Sequence, residues 1–246
     1  MTKISVVTVC YNSEATINRC IQSVQSQGSI VGEHIIFDGG STDNTVEIIN
    51  AFETSHYQIK LTVKKDRGVY DALNNAISCA TCEWIAILHS DDEFYDSTTL
   101  SSLINESSSL SNVLYSNLVM VRSNRIVRRW TSSDFIEKKI SWGWMPPHPT
   151  ILIKTKLAMS VGKYDLRYKI AADYDYCIRL FRNPLTKSQF INIISVRMQL
   201  GGLSTSGFVN RIRKNFEDVR VMRANKINII TAILGKKLFK IEQYFK

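Results

Sequence analysis

Short β-branched runs alternate with segments of helical periodicity through the first hundred residues. Ile4 to Cys10, His34 to Phe37, Ile59 to Lys64 and Glu83 to Leu88 read as strands. Between them, Ile17, Ile21 and Val24 recur at helical spacing, as do Val46, Ile49 and Phe52, and then Val69, Leu73, Ala76 or Ile77, and Ala80. This alternation predicts βαβ units and an α/β fold with a mixed, mainly parallel sheet flanked by helices. Each strand gives way to polar or glycine-bearing sequence: Cys10-Tyr11-Asn12-Ser13, Asp38-Gly39-Gly40-Ser41, Asp66-Arg67-Gly68 and His89-Ser90-Asp91-Asp92. Open α/β sheets bind ligands outside the carboxyl ends of their strands, so these four loops should line one crevice.

Beyond residue 105 the pattern loosens. Val113 to Val121 and Arg125 to Trp130 predict a hairpin or meander, and the loop from Trp142 to Pro149 leads into a short strand, Thr150 to Ile153. A helix burying Tyr174, Ile178 and Phe181 follows, then a strand from Phe190 to Val196. Phe208, Ile212, Phe216, Val219 and Met222 keep helical spacing, and so do Ile230, Leu234, Leu238, Ile241 and Phe245. No linker, repeat or low-complexity segment divides the chain. The predicted organisation is a body, 1–206, with halves 1–105 and 106–206, and an amphipathic helical tail, 207–246.

With 246 residues, 44% of them hydrophobic, the chain can bury one substantial core. Its net charge of +9 favours an anionic partner: a nucleotide, a nucleic acid or a membrane surface. The charge sits mostly in the tail, where Arg211, Arg213, Lys214, Arg220, Arg223, Lys226, Lys236, Lys237, Lys240 and Lys246 face only Glu217, Asp218 and Glu242. Five scattered cysteines suit a reducing compartment. Cys79-Ala80-Thr81-Cys82 has no second pair and no histidine at ligand spacing, which favours small residues at a helix-to-strand junction over zinc. The start of the chain reads as strand and not as a signal peptide, and no apolar run nears the roughly 18 residues of a membrane span. A cytoplasmic location, with room for peripheral attachment to the inner face of the membrane, is the expectation.

Asp91-Asp92 is the sharpest chemical signal. Two adjacent carboxylates at the end of a buried strand repel unless a cation offsets them, and Mg²⁺ or Mn²⁺ takes one or two carboxylates plus substrate phosphates. Asp38 can accept two N–H bonds from a base edge. Arg67, at a helix N-terminus where the dipole disfavours it, suits either an anionic ligand or plain solvation. The helix after Ala171-Ala172 carries Asp173 and Asp175, of which one suffices for the dipole, leaving Asp173 available as a general base. His148 stands between prolines beside Trp142 and Trp144, whose rings could stack on a sugar at an acceptor site.

Together these segments resemble family 2 glycosyltransferases of the GT-A fold, bacterial enzymes of polysaccharide assembly such as those of O-antigen and colanic-acid clusters. The resemblance runs from Val6-Val7-Thr8-Val9-Cys10-Tyr11-Asn12 through Asp38-Gly39-Gly40-Ser41-Thr42-Asp43, Asp66 to Asn74 and His89-Ser90-Asp91-Asp92 to Ala172-Asp173-Tyr174-Asp175. It implies that Thr8, Tyr11 and Asn12 wall the nucleotide, that Asp38 reads the uracil edge, and that Asp66, Arg67 and Asn74 belong to the nucleotide-sugar site. Asp91 matches the last position of the family's Asp-X-Asp metal motif. His89 departs from it at the first acidic position, which brings Asp92 in as a second candidate ligand. Asp173 matches the catalytic base of an inverting hexosyltransferase. The implied partners are a UDP-sugar and a glycan acceptor on a polyprenyl diphosphate, with Mn²⁺ or Mg²⁺ as cofactor. Gly201-Gly202-Leu203-Ser204 is similar to a late loop that closes over the diphosphate.

The cationic tail then suits an anionic membrane surface, although the same stripes could pack on the body or on a second copy in a homodimer. Two other functions compete. A nucleotidyltransferase would carry a glycine-rich, lysine-bearing loop after the first strand, where this chain has Cys10-Tyr11-Asn12-Ser13-Glu14. A nucleic-acid-binding module leaves the acidic strand ends unexplained, so no nucleic acid is expected.

Overall fold

The computed structural model describes all residues except Met1, Ser55, Asn124, 201–207 and 243–246. Strand β1 (Ile4–Cys10) lies at the heart of a nine-stranded sheet, with every residue buried. It pairs in parallel with β2 (Val31–Asp38) on one side and with β4 (Trp84–Ile87) on the other, and β3 (Gln58–Val63) extends the sheet beyond β2. Past β4 the sheet is mixed. β8 (Leu152–Lys154) runs antiparallel, followed by β6 (Val113–Arg122), β9 (Ser188–Gln199) and the two-residue β5 (Glu93–Phe94), while β7 (Arg125–Trp130) forms the expected hairpin with β6.

Alternation along β1 divides the core. Val7 and Val9 face α3 (Val69–Ser78) and α7 (Ala172–Arg182), whereas Ile4 and Val6 face α1 (Ile17–Gln25) and α4 (Thr99–Asn105). α2 (Thr45–Asn50) joins α1 over Ile36, and α6 (Thr155–Val161) packs on α7. Sequence periodicity gave no hint of β5, of α6 or of the five-residue α5 (Glu137–Ser141), each too short to show a period.

The tail folds back as α8 (Phe208–Ala224) and α9 (Ile229–Glu242), against α7 and α5 respectively. Its inward face differs from the apolar stripe. Val221, Met222, Ile227 and Ala232 enter the core, but so do Glu217 and Asp218, while Ile212 and Phe216 face outward. The reason is polar. Glu217 meets backbone N–H groups ahead of α7, and Asp218 accepts from Lys236 Nζ (2.9 Å) and Lys214 Nζ (3.5 Å). Gly235 lets α9 approach closely, since any Cβ there would collide with the carbonyl oxygen of Trp142. Phe245 and the Gly201-Gly202-Leu203-Ser204 loop lie outside the described residues. Among the described residues, no helix is long and apolar enough to cross a membrane.

A buried polar knot fastens β1, β2, β3 and the turn before β4. Glu33, 3% exposed, accepts from Ser5 Oγ, from Lys60 Nζ, and from Thr81 through N (2.7 Å) and Oγ1 (3.0 Å). Burial alone would raise this carboxyl, but Lys60, Ser5 and Thr81 outweigh it and bring it from 4.5 down to about 2. A depressed carboxyl stabilises the fold above its unfolded pKa and loses that contribution as pH falls through the folded one. Glu33→Gln should therefore cost about 1–3 kcal/mol at neutral pH. In urea unfolding, its deficit against wild type should shrink as pH drops from 4.5 toward 2.

Candidate functional site

Strands β2 and β3 lie on one side of β1 and β4 on the other, so the chain reverses its direction of travel across the sheet at the β1–β4 seam. At such a reversal, the loops leaving the two strands are where an open α/β sheet takes its ligands. Side chains stitch the loops together. Asn12 donates through its backbone N–H to Ser41 Oγ (2.8 Å), and its Oδ1 accepts from Thr42 N (2.9 Å). Ser13 reaches Thr45 Oγ1 through its N–H and Ser90 Oγ (3.0 Å) through its hydroxyl. Asn44 does not cap α2 with its own side chain. Glu14 and Asp43 accept from Asn44 N and Thr45 N instead.

Asp38 is fully buried, and its carboxylate builds the loop. Oδ1 accepts from Gly40 N (2.9 Å) and Ser41 N (2.7 Å), and Oδ2 from Ser41 Oγ and Cys10 Sγ (3.3 Å). That corrects the expectation of a carboxylate presented to a base edge, because all its near acceptor positions are taken. Burial, then the Asp38 charge, pushes the Cys10 thiol far above its usual value. Gly39 admits the third loop, since a Cβ there would stand 2.7 Å from Asp66 Oδ2 and 3.5 Å from the Tyr11 ring. Tyr11 is 60% exposed, leaving an open aromatic face beside Asp66.

Asp91 and Asp92 prove unequal. Asp92 is buried at 2% exposure and accepts from Gln199 N (3.0 Å) at the end of β9. Burial, reinforced by Asp91, raises its carboxyl well above the ordinary range. It is a latch to β9, which removes it from the metal-ligand set. Asp91, half-buried, has no hydrogen bond or ion pair among the described residues. Burial lowers the His89 imidazole against the opposing charges of Asp91 and Asp173, so the ring is neutral at pH 7. A carboxylate without a partner among the described residues suits Mn²⁺ or Mg²⁺ with water and phosphate completing the shell, and a neutral imidazole beside it could add a nitrogen donor to Mn²⁺. Among the described residues, no cluster of three or more ligating side chains occurs. Asp173 stands in the first turn of α7, half-buried, its Oδ1 accepting from Tyr174 N (2.8 Å).

Four further residues take structural places. Thr8 is fully buried beneath α1, its hydroxyl 2.9 Å from His34 Nε2, so its side chain does not wall the crevice. Asn74, buried on α3, clasps the backbone of Tyr164 through both amide atoms (3.0 and 2.8 Å) and is a strut. Trp144 packs edge-on to Tyr115 and Phe181 in the core, unavailable for stacking on a sugar. His148 is buried with Nε2 2.7 Å from the Tyr164 hydroxyl, and burial lowers its imidazole to about 4. Its ring lies 6.5 Å from that of His89 and is buried, not presented to an acceptor. Trp142 keeps an exposed ring. Arg67 is exposed and paired in bidentate fashion with Asp71 (3.2 and 3.1 Å).

Sequence reasoning overlooked Tyr70, whose hydroxyl donates to Ile170 O (2.8 Å), and Glu217, which accepts from three N–H groups ahead of α7. The one available signal for Glu217 was the absence of a capping side chain at Ala171-Ala172.

Comparison with known proteins follows the same outline. The family model described as "Glycosyl transferase family 2" matches residues 5–184. A PGL/p-HBAD biosynthesis glycosyltransferase of Mycobacterium bovis is 30% identical over 208 residues, covering 82% of this chain and 79% of that protein. In fold, the chain is similar to S. aureus TarS 1-349 in complex with UDP-GlcNAc, with a TM-score of 0.71 and 19% identity. The match covers 91% of this chain and only 65% of that one, so the chain spans less than two thirds of its length. It is also similar to glucosyl-3-phosphoglycerate synthase of Mycobacterium tuberculosis in complex with Mn²⁺, UDP and phosphoglyceric acid. There the TM-score is 0.60 and the identity 18%, covering 89% of this chain and 78% of that one.

The strut and the exposed ring should separate in an unfolding experiment. Asn74→Ala strands two buried backbone groups and should lower stability by about 1–3 kcal/mol in urea. Tyr11→Ala should stay within about 0.5 kcal/mol of wild type.

Proposed function

The chain belongs to glycosyl transferase family 2, and on that premise we propose that it moves a sugar from a UDP-sugar to a hydroxyl of a glycan acceptor with inversion at the anomeric carbon. The observation that carries this reading is the half-buried Asp91 carboxylate just past β4, at the β1–β4 seam, which has no hydrogen bond or ion pair among the described residues. The complexes of fold neighbours with UDP-GlcNAc, and with Mn²⁺ and UDP, support a UDP donor and a divalent cation.

Tyr11 offers its exposed face to the base beside Asp66, with the Asn12–Thr42 bond holding the loop shut behind it. Arg67 stands at the rim on Asp71, an exposed pair for which a diphosphate can compete. Asp91 and His89 would hold Mn²⁺ or Mg²⁺, which when bound offsets the charge of the departing diphosphate. Asp173 takes the proton of the acceptor hydroxyl as that oxygen forms its bond to the anomeric carbon, while the bond to the diphosphate oxygen breaks on the opposite face and UDP leaves. Trp142 is the exposed ring available to the acceptor. Body 1–206 carries the donor, metal and base residues in this reading.

A surface-polysaccharide or glycolipid acceptor on a lipid diphosphate suits the tail. Its outward face sets Ile230, Leu234 and Leu238 in a row one turn apart, with Ile212 and Phe216 exposed on α8. Exposed Arg213, Arg223, Lys226 and Lys237 accompany them, a combination that matches the headgroup layer of an anionic bilayer.

Asp173→Asn should lower kcat on the order of 10²–10⁴-fold while UDP-sugar affinity, read by calorimetry, stays near wild type. Near-wild-type turnover would move the base elsewhere. Asp91→Ala, or chelation of the native enzyme, should abolish transfer, and activity that survives chelator overturns the metal assignment. In flotation with anionic liposomes, Ile230→Ser/Leu234→Ser/Leu238→Ser should leave the protein in the unbound fraction while the wild-type chain floats. Equal flotation dismisses the membrane face.

A further inference from the structure

Helix α7 begins without a capping side chain of its own. Its N-cap position is Ala171, followed by Ala172, and neither offers an acceptor. Asp173 spends Oδ1 on the adjacent Tyr174 N, and Asp175 is engaged with Arg179 Nε (2.8 Å) and Asn225 Nδ2 (3.0 Å). The backbone donors that lead into this turn are met from 46 to 48 residues away in sequence. Glu217 on α8 accepts from Lys169 N (3.0 Å), Ile170 N (2.8 Å) and Ala171 N (3.0 Å).

A buried carboxylate is costly unless its lone pairs are filled. Here three N–H groups fill them, with Arg213 Nε 3.7 Å from Oε1 and the residue only 5% exposed. A negative charge at this end also suits the dipole of α7. The same segment is also held by α3 and the turn before it, where Tyr70 donates to Ile170 O (2.8 Å) and the carbonyl of Arg67 accepts from Lys169 Nζ (3.5 Å). Residues 169–171 are thus clamped between tail and body, and Asp173 follows two residues later.

We propose that Glu217 is a positioning residue for glycosyl transfer: by accepting three backbone N–H bonds it fixes the start of α7 and so the place of the Asp173 carboxylate in the crevice. This rests on the reading of Asp173 as the base. A base must come within hydrogen-bond reach of the proton it takes, and a misplacement of about 1 Å can cost on the order of 10²-fold. The tail is then part of the catalytic apparatus through its fold-back contact, while touching neither donor nor acceptor.

The test compares full-length variants by kcat, by KM for donor and acceptor, and by melting temperature. Glu217→Gln keeps one acceptor oxygen but sets an NH₂ among three donors. It should lower kcat roughly 10- to 100-fold and leave the KM for UDP-sugar within about twofold of wild type. Asn225→Ala, which removes the tail's bond to Asp175 without touching residues 169–171, should hold kcat within about twofold. Equal losses of kcat in the two variants at similar melting temperature, or no loss in Glu217→Gln, overturn the proposal. Should Glu217→Gln fail to fold, Glu217→Asp, shorter by one methylene, is read by the same criteria. In an Asp173→Asn background, Glu217→Gln should cost nothing further, and a second full-sized loss shows that Glu217 acts through some other group. A near-wild-type Asp173→Asn enzyme would instead overturn the base assignment itself, an outcome visible before Glu217 is altered.

Discussion

Parallel pairing of β1 on both of its edges is the constraint on which the rest of this molecule depends. A strand buried on both faces and bonded on both sides cannot slip by one residue without turning Val7 and Val9 toward the wrong helices. Its register therefore fixes which helices lie above and below the sheet. Because β2 and β4 flank it, it also fixes where two successive loops part company. The loops on either side of that parting meet again at the Ser13–Ser90 hydroxyl contact.

Much of this was readable in the chain. β1 ends where its apolar run ends, and the four strand-end loops are joined to one another much as their shared composition suggested. What was hidden has a common cause. Thr8, Asn74, Trp144 and His148 are chemically capable residues whose partners lie far away in sequence, at His34, Tyr164, Phe181 and again Tyr164. A local pattern reports that a group can bond and not what it meets. Asp38 and Asp92 show the same limit, since each is a buried carboxylate past or at a strand end that accepts from the backbone.

The tail illustrates how such closure redistributes charge. Helical periodicity picked out an apolar stripe open to a membrane, to the body or to a second copy, and α8 turns Glu217 and Asp218 to the body while leaving Ile212 and Phe216 outside. An uncapped helix start and the lysines at 214 and 236 consume both acids. The surface left to the surroundings is accordingly greasy and almost wholly cationic, although the segment is not as one-sided in composition. Burial brings Lys236 down to about 8 despite its carboxylate partner, a measure of how deep this junction lies.

The thiol of Cys10 sits at the root of the loops that follow β1 and β2, donating to Asp38 from a buried position. Thiolate is the form that oxidants and alkylating agents attack, and both burial and the neighbouring carboxylate oppose it here. Of the five cysteines, only Cys79 is exposed, on the far side of α3 from those loops. Cys10 is therefore a poor target for oxidants and alkylating agents, and Cys79 is the exposed thiol at which a probe can be attached away from those loops.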